Sequence, residues 1–332
     1  MKIKQNNLLS GENIGLLLLN NKALVILVIL GVCIGIYQPI FFTPYNLMNV
    51  VRQISIATVL GIGYTVVMTS GQFDLSIGTM LSFVGVVMAH LSLRMPLWAA
   101  LLIGSVLGVV CGFINGFVSQ YFHLNPFIVT LATQQVYKGG AYLISGNKPV
   151  TGLSDEFVFI GQGYIGGIPF PIIFMLICVI AISILMYRTK FGREVVAVGG
   201  NPEAARVSGI NPMKVKIKVL ALMGLFVAFS AMIMTGRVAS AQPGAGAFME
   251  SDAITSVVMG GTAMAGGKPN VVGTLFGCMI VGVISNGMNL IGIDSNWQLV
   301  VKGLMVLIAI IIDVATENFV NRVNNRPKEM VK

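Results

Sequence analysis

Asp74 stands where a carboxylate is expensive. It is the one Asp, Glu, Lys or Arg between Gln53 and Leu93, and an ionised side chain at the centre of a membrane helix costs about 2.5–3.5 kcal/mol on insertion scales. Two roles follow. Asp74 lines a pathway or relays an ion, or it caps the helix that starts near Ile77 by accepting from that helix's free N–H groups. Glu250 and Asp252 place negative charge just before an apolar segment, where the helix dipole favours it. Asn115, Asn286 and Asn289 are amides in apolar runs, suited to hydrogen bonds between helices or to lining the path of a polar solute.

Catalysis finds no footing. His90 and His123 lie far apart, with no nucleophile–base pair to join. Gly161-Gln162-Gly163-Tyr164-Ile165-Gly166 matches G-x-G-x-x-G, but no strand–turn–helix surrounds it. Gly266-Gly267-Lys268-Pro269 fails as a phosphate loop, because Thr262 holds the first glycine position and Pro269 the Ser/Thr position. Cys33, Cys111, Cys178 and Cys278 lie one per apolar run without CxxC or metal-like spacing. The expectation is a chain that is not an enzyme, with no cofactor, no metal and no catalytic residue of its own.

The elements that hold these residues are membrane helices. Charged residues are 10% of the chain and hydrophobic ones 55%, with a mean hydropathy of +0.86, whereas a soluble domain carries about 25% charged residues. The net charge of +9 sits at the two ends and in loops, with no basic face interleaved with aromatics, so it reads as membrane topology and not as nucleic-acid binding. An all-α polytopic transmembrane bundle is predicted, with about ten spans and broken helices. The spans fall at 23–42, 53–73, 75–93, 95–119, 127 onward, 168–187, 219–236, 253–267 (short and Gly-rich), 269–293 and 297–312. The Asn125-Pro126 step separates the fourth from the fifth. Breaks are expected at Gly71–Gly78 and at Gly260-Gly261 with Gly266-Gly267, and irregular backbone at membrane depth survives only inside protein or beside water. Lys138 and Lys302 fall inside spans as exceptions.

Tyr187–Val219 is the one long, densely charged segment, with seven cations (Arg188, Lys190, Arg193, Arg206, Lys214, Lys216, Lys218) against Glu194 and Glu203. Short basic loops stay in the cytoplasm. Lys2, Lys4 and Lys22 at one end and Arg322, Arg326, Lys328 and Lys332 at the other put both termini there too, which agrees with an even span count. The resulting division is a cytoplasmic segment 1–22, one transmembrane domain 23–314 with a cytoplasmic loop 188–218, and a cytoplasmic tail 315–332. Asn201-Pro202-Glu203 predicts the start of a short helix within the loop, one able to sit in a groove on a soluble partner.

Four stretches carry a family resemblance: GQFDLSIGTMLSFVGVV (71–87), INGFVSQYFHLNPFIVTLAT (114–133), FGREVVAVGGNPEAARVSGI (191–210), and ASAQPGAG with ESDAITSVVMGGTAMAGGKPNVVGTLFG (239–277). Over residues 50–314 the chain resembles the membrane permease subunits of bacterial ABC importers for monosaccharides, of the ribose and galactose type. The resemblance implies a non-catalytic subunit in the cytoplasmic (inner) membrane that forms the path for a sugar such as ribose. It implies three partners beside the lipid bilayer: a cytoplasmic ATP-binding subunit, an extracytoplasmic sugar-binding protein and a second permease copy, in a homodimer or a paired heterodimer. It also implies a coupling role for Arg193, Glu203, Ala204, Ala205, Arg206 and Gly209, and leaves Asp74, Asn115, Asn286 and Asn289 as candidates for the translocation path. Gln72 stands where the family has the second glycine of a Gly-Gly pair. Two rivals remain: a stand-alone secondary transporter that uses Asp74, and a membrane scaffold with no path.

Overall fold

Three helices begin at the same dipeptide. In the computed structural model, which describes residues 22–324, Asn125, Asn201 and Asn211 each precede a proline at the first helical position. Their side chains accept from Phe127 N, from Glu203 N and Ala204 N, and from Lys214 N. Proline forgoes a donor the helix could not use there, and the asparagine satisfies one or two of those left over.

Thirteen helices lie among the described residues: α1 Lys22–Tyr37, α2 Pro44–Thr69, α3 Ile77–Ser92, α4 Leu97–Tyr121, α5 Pro126–Ser145, α6 Asp155–Gln162, α7 Phe170–Arg188, α8 Lys190–Gly200, α9 Pro202–Val207, α10 Pro212–Val238, α11 Met249–Met259, α12 Val271–Ile291 and α13 Ser295–Asn324. The sheet is a two-residue hairpin, Tyr164–Ile165 against Ile168–Pro169. The chain is a helical membrane bundle. Each predicted span holds one helix, while α6, α8 and α9 lie in the connections. Five helices, α2, α4, α7, α10 and α12, are long and apolar enough to cross a membrane by themselves. The eighth segment differs from expectation: α11 spans Met249–Met259 and stops at Gly260, so 260–267 is loop. Lys2, Lys4, Arg326, Lys328 and Lys332 lie outside the described residues.

The packing is duplicated. α2 and α10, 26 and 27 residues long, pack against each other at the centre. α2 also meets α11 and α12, and α10 meets α3 and α4; α3 packs on α4 and α5 as α11 packs on α12 and α13. The two halves carry an Asn-Gly pair at matching places, Asn115-Gly116 on α4 and Asn286-Gly287 on α12. Close approach needs small residues. A Cβ on Gly108 or Gly112 of α4 would collide with the Gly224 or Leu220 carbonyl of α10.

Hydrogen bonds tie the two ends of the bundle separately. At one end the Arg52 Nη2 donates to the Gln162 carbonyl (2.9 Å) and Gln162 Nε2 to the Arg237 carbonyl (3.0 Å). Val150 and Ala241 exchange backbone bonds of 2.9 and 3.0 Å. At the other end Gly267 N donates to the Thr69 carbonyl (2.8 Å) and Gln72 Nε2 to the Lys216 carbonyl (3.2 Å). From Arg52 to Thr69 α2 rises about 26 Å at 1.5 Å per residue, close to the thickness of a bilayer core. α2 and α10 run between these ends in opposite directions, so the halves are inverted relative to each other.

Candidate functional site

Asp74 is fully buried in a non-helical stretch, 72–76, that leads into α3. Its Oδ1 accepts from the Ser76 amide (2.8 Å) and the Ser76 hydroxyl (2.6 Å). These bonds place the carboxylate at the entrance of α3, as the capping reading expects, with Ser76 next to Ile77 supplying both donors. Asp74 N donates to the Tyr64 hydroxyl (3.2 Å), and Leu75 N donates to Thr130 Oγ1 (3.1 Å). Asn115 Nδ2 donates to Ser76 Oγ (2.9 Å), and the Tyr137 hydroxyl donates to Asn115 Oδ1 (3.1 Å). These bonds pin a broken span to α2, α4 and α5. A buried polar group left without a partner costs about 1–3 kcal/mol; the network satisfies both ends of the Asn115 amide and Asp74 Oδ1, while Asp74 Oδ2 is buried with no donor among the described residues.

The other two asparagines are elsewhere. Asn286 exchanges amide bonds with Asn46 of α2, 2.9 and 3.0 Å, and Asn46 also donates to the Phe41 carbonyl (3.0 Å). Asn289 is exposed and accepts from Gln298 Nε2 (2.9 Å). The structure therefore joins Asp74 with Asn115 but not with Asn286 or Asn289. Glu250 and Asp252 lie in the first turn of α11, where the helix dipole favours them, and Asp252 also pairs with Lys302 of α13 at 2.7 Å. That pair explains one of the two lysines found inside spans.

The other lysine lines a cleft. Gly246 N donates to Ser82 Oγ (2.8 Å), which draws the segment before α11 down beside the start of α3. Between this segment, α3 and α5 opens a space of about 260 Å³, lined by Thr79, Gln134, Gln135, Lys138, Tyr142 and Glu250 among others. A neighbouring space of about 270 Å³ on the far side of Gly244 reaches Thr235, Ser240 and Gln242. Thr79, one residue past Gly78 at the first break, lines the first of these spaces, whereas no residue of the 260–267 break lines either. Lys138 was noted in the sequence only as a charged exception, and Gln134, Gln135 and Tyr142 were missed. Gln134, Lys138 and Tyr142 recur every four residues on one helix face, a polar stripe in an otherwise apolar span.

At the end of the bundle holding Thr69 and Gly267, the charged segment folds as two short helices. In α9, Ala204, Arg206, Val207 and Gly209 beyond it are exposed, with Glu203 and Arg206 paired at 3.1 Å; Arg193 of α8 is also exposed. Ala205 differs from the others of its set: it is 4% exposed and packs into the core, seating the helix. Val207 is 86% exposed, an apolar residue that charge counting passed over.

The base of this platform touches both breaks. Gly199, in the last turn of α8, lies so close to the Thr69 carbonyl that a Cβ would collide with it, and the same Cβ would lie 2.8 Å from Gly267 N. Gln72, the departure from Gly-Gly, is buried and ties the first break to α10 through the Lys216 carbonyl and to Ser70 Oγ (3.0 Å). Tyr187 at the end of α7 donates to the Pro269 carbonyl and accepts from Val271 N, each at 3.3 Å. α8 and the end of α7 are thus in direct contact with the 69–72 and 266–271 turns.

Comparison with known proteins agrees with this architecture. A family model described as branched-chain amino acid transport system / permease component matches residues 46–310. The ribose import permease protein RbsC of Bacillus subtilis is 40% identical over 290 residues, 86% of this chain and 90% of that protein. RbsC of Escherichia coli K12 is 36% identical, covering 89% of this chain and 94% of its own length. The L-arabinose transport system permease protein AraH of Escherichia coli K12 is 37% identical, with coverage of 87% and 89%. No solved structure matches the chain.

Proposed function

We propose a function from one premise: the chain belongs to the family of permease components whose model matches residues 46–310. It is the membrane permease of an ATP-driven (ABC) sugar importer, and its solute is ribose, the sugar named for its relatives RbsC. ATP hydrolysis resides in a separate cytoplasmic subunit, and a sugar-binding protein delivers the solute on the opposite face. The 188–218 loop is the cytoplasmic coupling segment of a domain covering 23–314. Both termini, 1–22 and 315–332, share its side of a bacterial inner membrane.

The observation that carries the reading is the seat of α8. A charged loop whose base rests on both broken spans is built to convert movement of a partner into movement of the pathway, a rigid-body displacement of packed elements. Arg193, Glu203, Ala204, Arg206 and Gly209 form the face toward the ATPase, with Val207 added to it and Ala205 holding α9 in place. Asp74 and Asn115 hold the first break, and Asn286 and Asn289 hold α12 at the matching position of the other half. A second copy of the chain completes the path. Gln135 and Lys138 are exposed on α5, and a cation facing lipid there costs about 2.5–3.5 kcal/mol, which a water-filled path between two copies removes.

The test is ribose uptake into vesicles holding this chain with the ATPase and the binding protein, each omitted in turn. Uptake that requires ATP and both partners supports the reading. Uptake without the ATPase favours a secondary transporter, and undiminished uptake without this chain favours a scaffold.

A further inference from the structure

We propose that the cleft between α3, α5 and the segment before α11 is a solute-binding station inside the membrane, which holds one neutral sugar ring through Gln134, Gln135, Lys138, Tyr142 and Glu250. The inference rests on the importer reading and adds a site to it. The argument begins with the use each polar side chain already has. Asn115 and Asn286 spend both ends of their amides on other protein groups, and Asn289 Oδ1 accepts from Gln298. The side chains of Gln134, Gln135, Lys138 and Tyr142 have no hydrogen-bond partner among the described residues, and Glu250 Oε2 is buried without a donor. Five groups with unspent hydrogen-bonding capacity face one space at membrane depth.

Their chemistry matches a polyol. Two amides each donate and accept, the ammonium donates, the carboxylate accepts, and the tyrosine does both. Adjacent hydroxyls of a sugar present this alternation of donor and acceptor. Lys138 and Glu250 carry opposite charges, so the lining is balanced for a neutral solute and gives an ion of either sign no net attraction. The volume of about 260 Å³ falls just below the range of about 300–1,000 Å³ seen for drug-sized ligands, which leaves room for one ring. The lining also draws on both halves of the chain: α3 and α5 from the first and Glu250 from the second. Relative movement of the halves would therefore assemble or disperse the site.

The experiment places a cysteine at Gln135 (Gln135→Cys) in a chain whose exposed native cysteine is removed (Cys33→Ser), Cys111, Cys178 and Cys278 being buried. The full chain, reconstituted with its partners, is treated with a positively charged methanethiosulfonate. D-ribose at twice its dissociation constant is expected to slow the modification about threefold, as simple occupancy requires, with no slowing by sucrose at equal osmolarity. Equal rates with and without ribose, equal protection by sucrose, or a thiol that the reagent never reaches would each overturn the site. A second variant, Gln134→Leu with Gln135→Leu, keeps the volume and removes the amides. Its maximal uptake rate should fall about tenfold, the equivalent of 1.4 kcal/mol, while ATPase activity stimulated by the binding protein persists; unchanged uptake would contradict the site. If the wild-type complex takes up no ribose, the importer reading fails by itself, and ribose protection of the cysteine still decides whether the cleft binds a sugar.

Discussion

Gly199 and Gly200 are neighbours in α8 with opposite surroundings, and that contrast sets up a sharp test. A methyl group on Gly199 would enter the Thr69 carbonyl and press on Gly267 N at 2.8 Å, whereas a methyl on Gly200 meets nothing within 4 Å. Overpacking against backbone costs about 1–3 kcal/mol. Forcing Thr69 and Gly267 apart also breaks their hydrogen bond, worth about 1 kcal/mol. Replacing a helical glycine returns at most about 1 kcal/mol. The net for Gly199→Ala is a loss of about 2 kcal/mol, and for Gly200→Ala a change between zero and a small gain. At about 2 °C per kcal/mol, the low end for large domains, Gly199→Ala should lower Tm by about 4 °C. Thermal unfolding of the purified chain in detergent, in a Cys33→Ser background, can be read with a thiol-reactive fluorophore that reports exposure of Cys111, Cys178 and Cys278. Equal melting of the two variants would refute the claim that α8 is seated between the broken spans.

Other perturbations test other contacts. Asn286→Leu strands Asn46 and should cost about 1–3 kcal/mol; adding Asn46→Leu should restore part of it, with a coupling of at least about 0.5 kcal/mol in a double-mutant cycle of melting temperatures. Lys302→Met breaks a pair whose side chains are 24% and 23% exposed, while Arg206→Ala breaks one at 71% and 77%. The first should destabilise measurably, and the second should stay within the range of about 0.2–1 kcal/mol typical of surface pairs. Asp74→Asn keeps an acceptor for Ser76 and should leave both melting and ribose uptake near wild type, whereas Asp74→Leu should impair both; loss of uptake in Asp74→Asn with normal melting would revive the ion-relay role.

What could be read ahead of the structure followed from local chemistry. The Asn-Pro steps at 125 and 201 mark helix boundaries because capping involves only neighbouring residues, a rule that Asn211-Pro212 also obeys in the structure, and the apolar segments locate helices because membrane length sets their size. Gly71 and Gly260-Gly261 marked breaks for the same local reason. What escaped the sequence was pairing over distance. Asp252 meets Lys302 fifty residues on, and Asn46 meets Asn286 across 240, distances at which neither type nor spacing names a partner. The duplication was hidden because it resides in the order and packing of helices; the Asn-Gly pairs at 115 and 286 are a small residue of it in sequence. The cleft was missed because Gln134, Lys138 and Tyr142 become a site only when Glu250 arrives from the other half. α11 fell short of its predicted span because Gly261, at φ +84°, turns the chain out of the helix.

The most direct test of the central claim compares wild type with Glu203→Arg in vesicles containing the chain, its ATPase and its binding protein. Glu203 is exposed on α9 and, among the described residues, its carboxylate pairs with Arg206 alone, so reversing its charge leaves the membrane bundle intact and alters the face offered to the partner. Melting unchanged, with loss of both ATP-dependent ribose uptake and ATPase association, is the result the coupling account requires. Normal uptake with the ATPase still bound would show that α9 is an ordinary solvated loop and would contradict it.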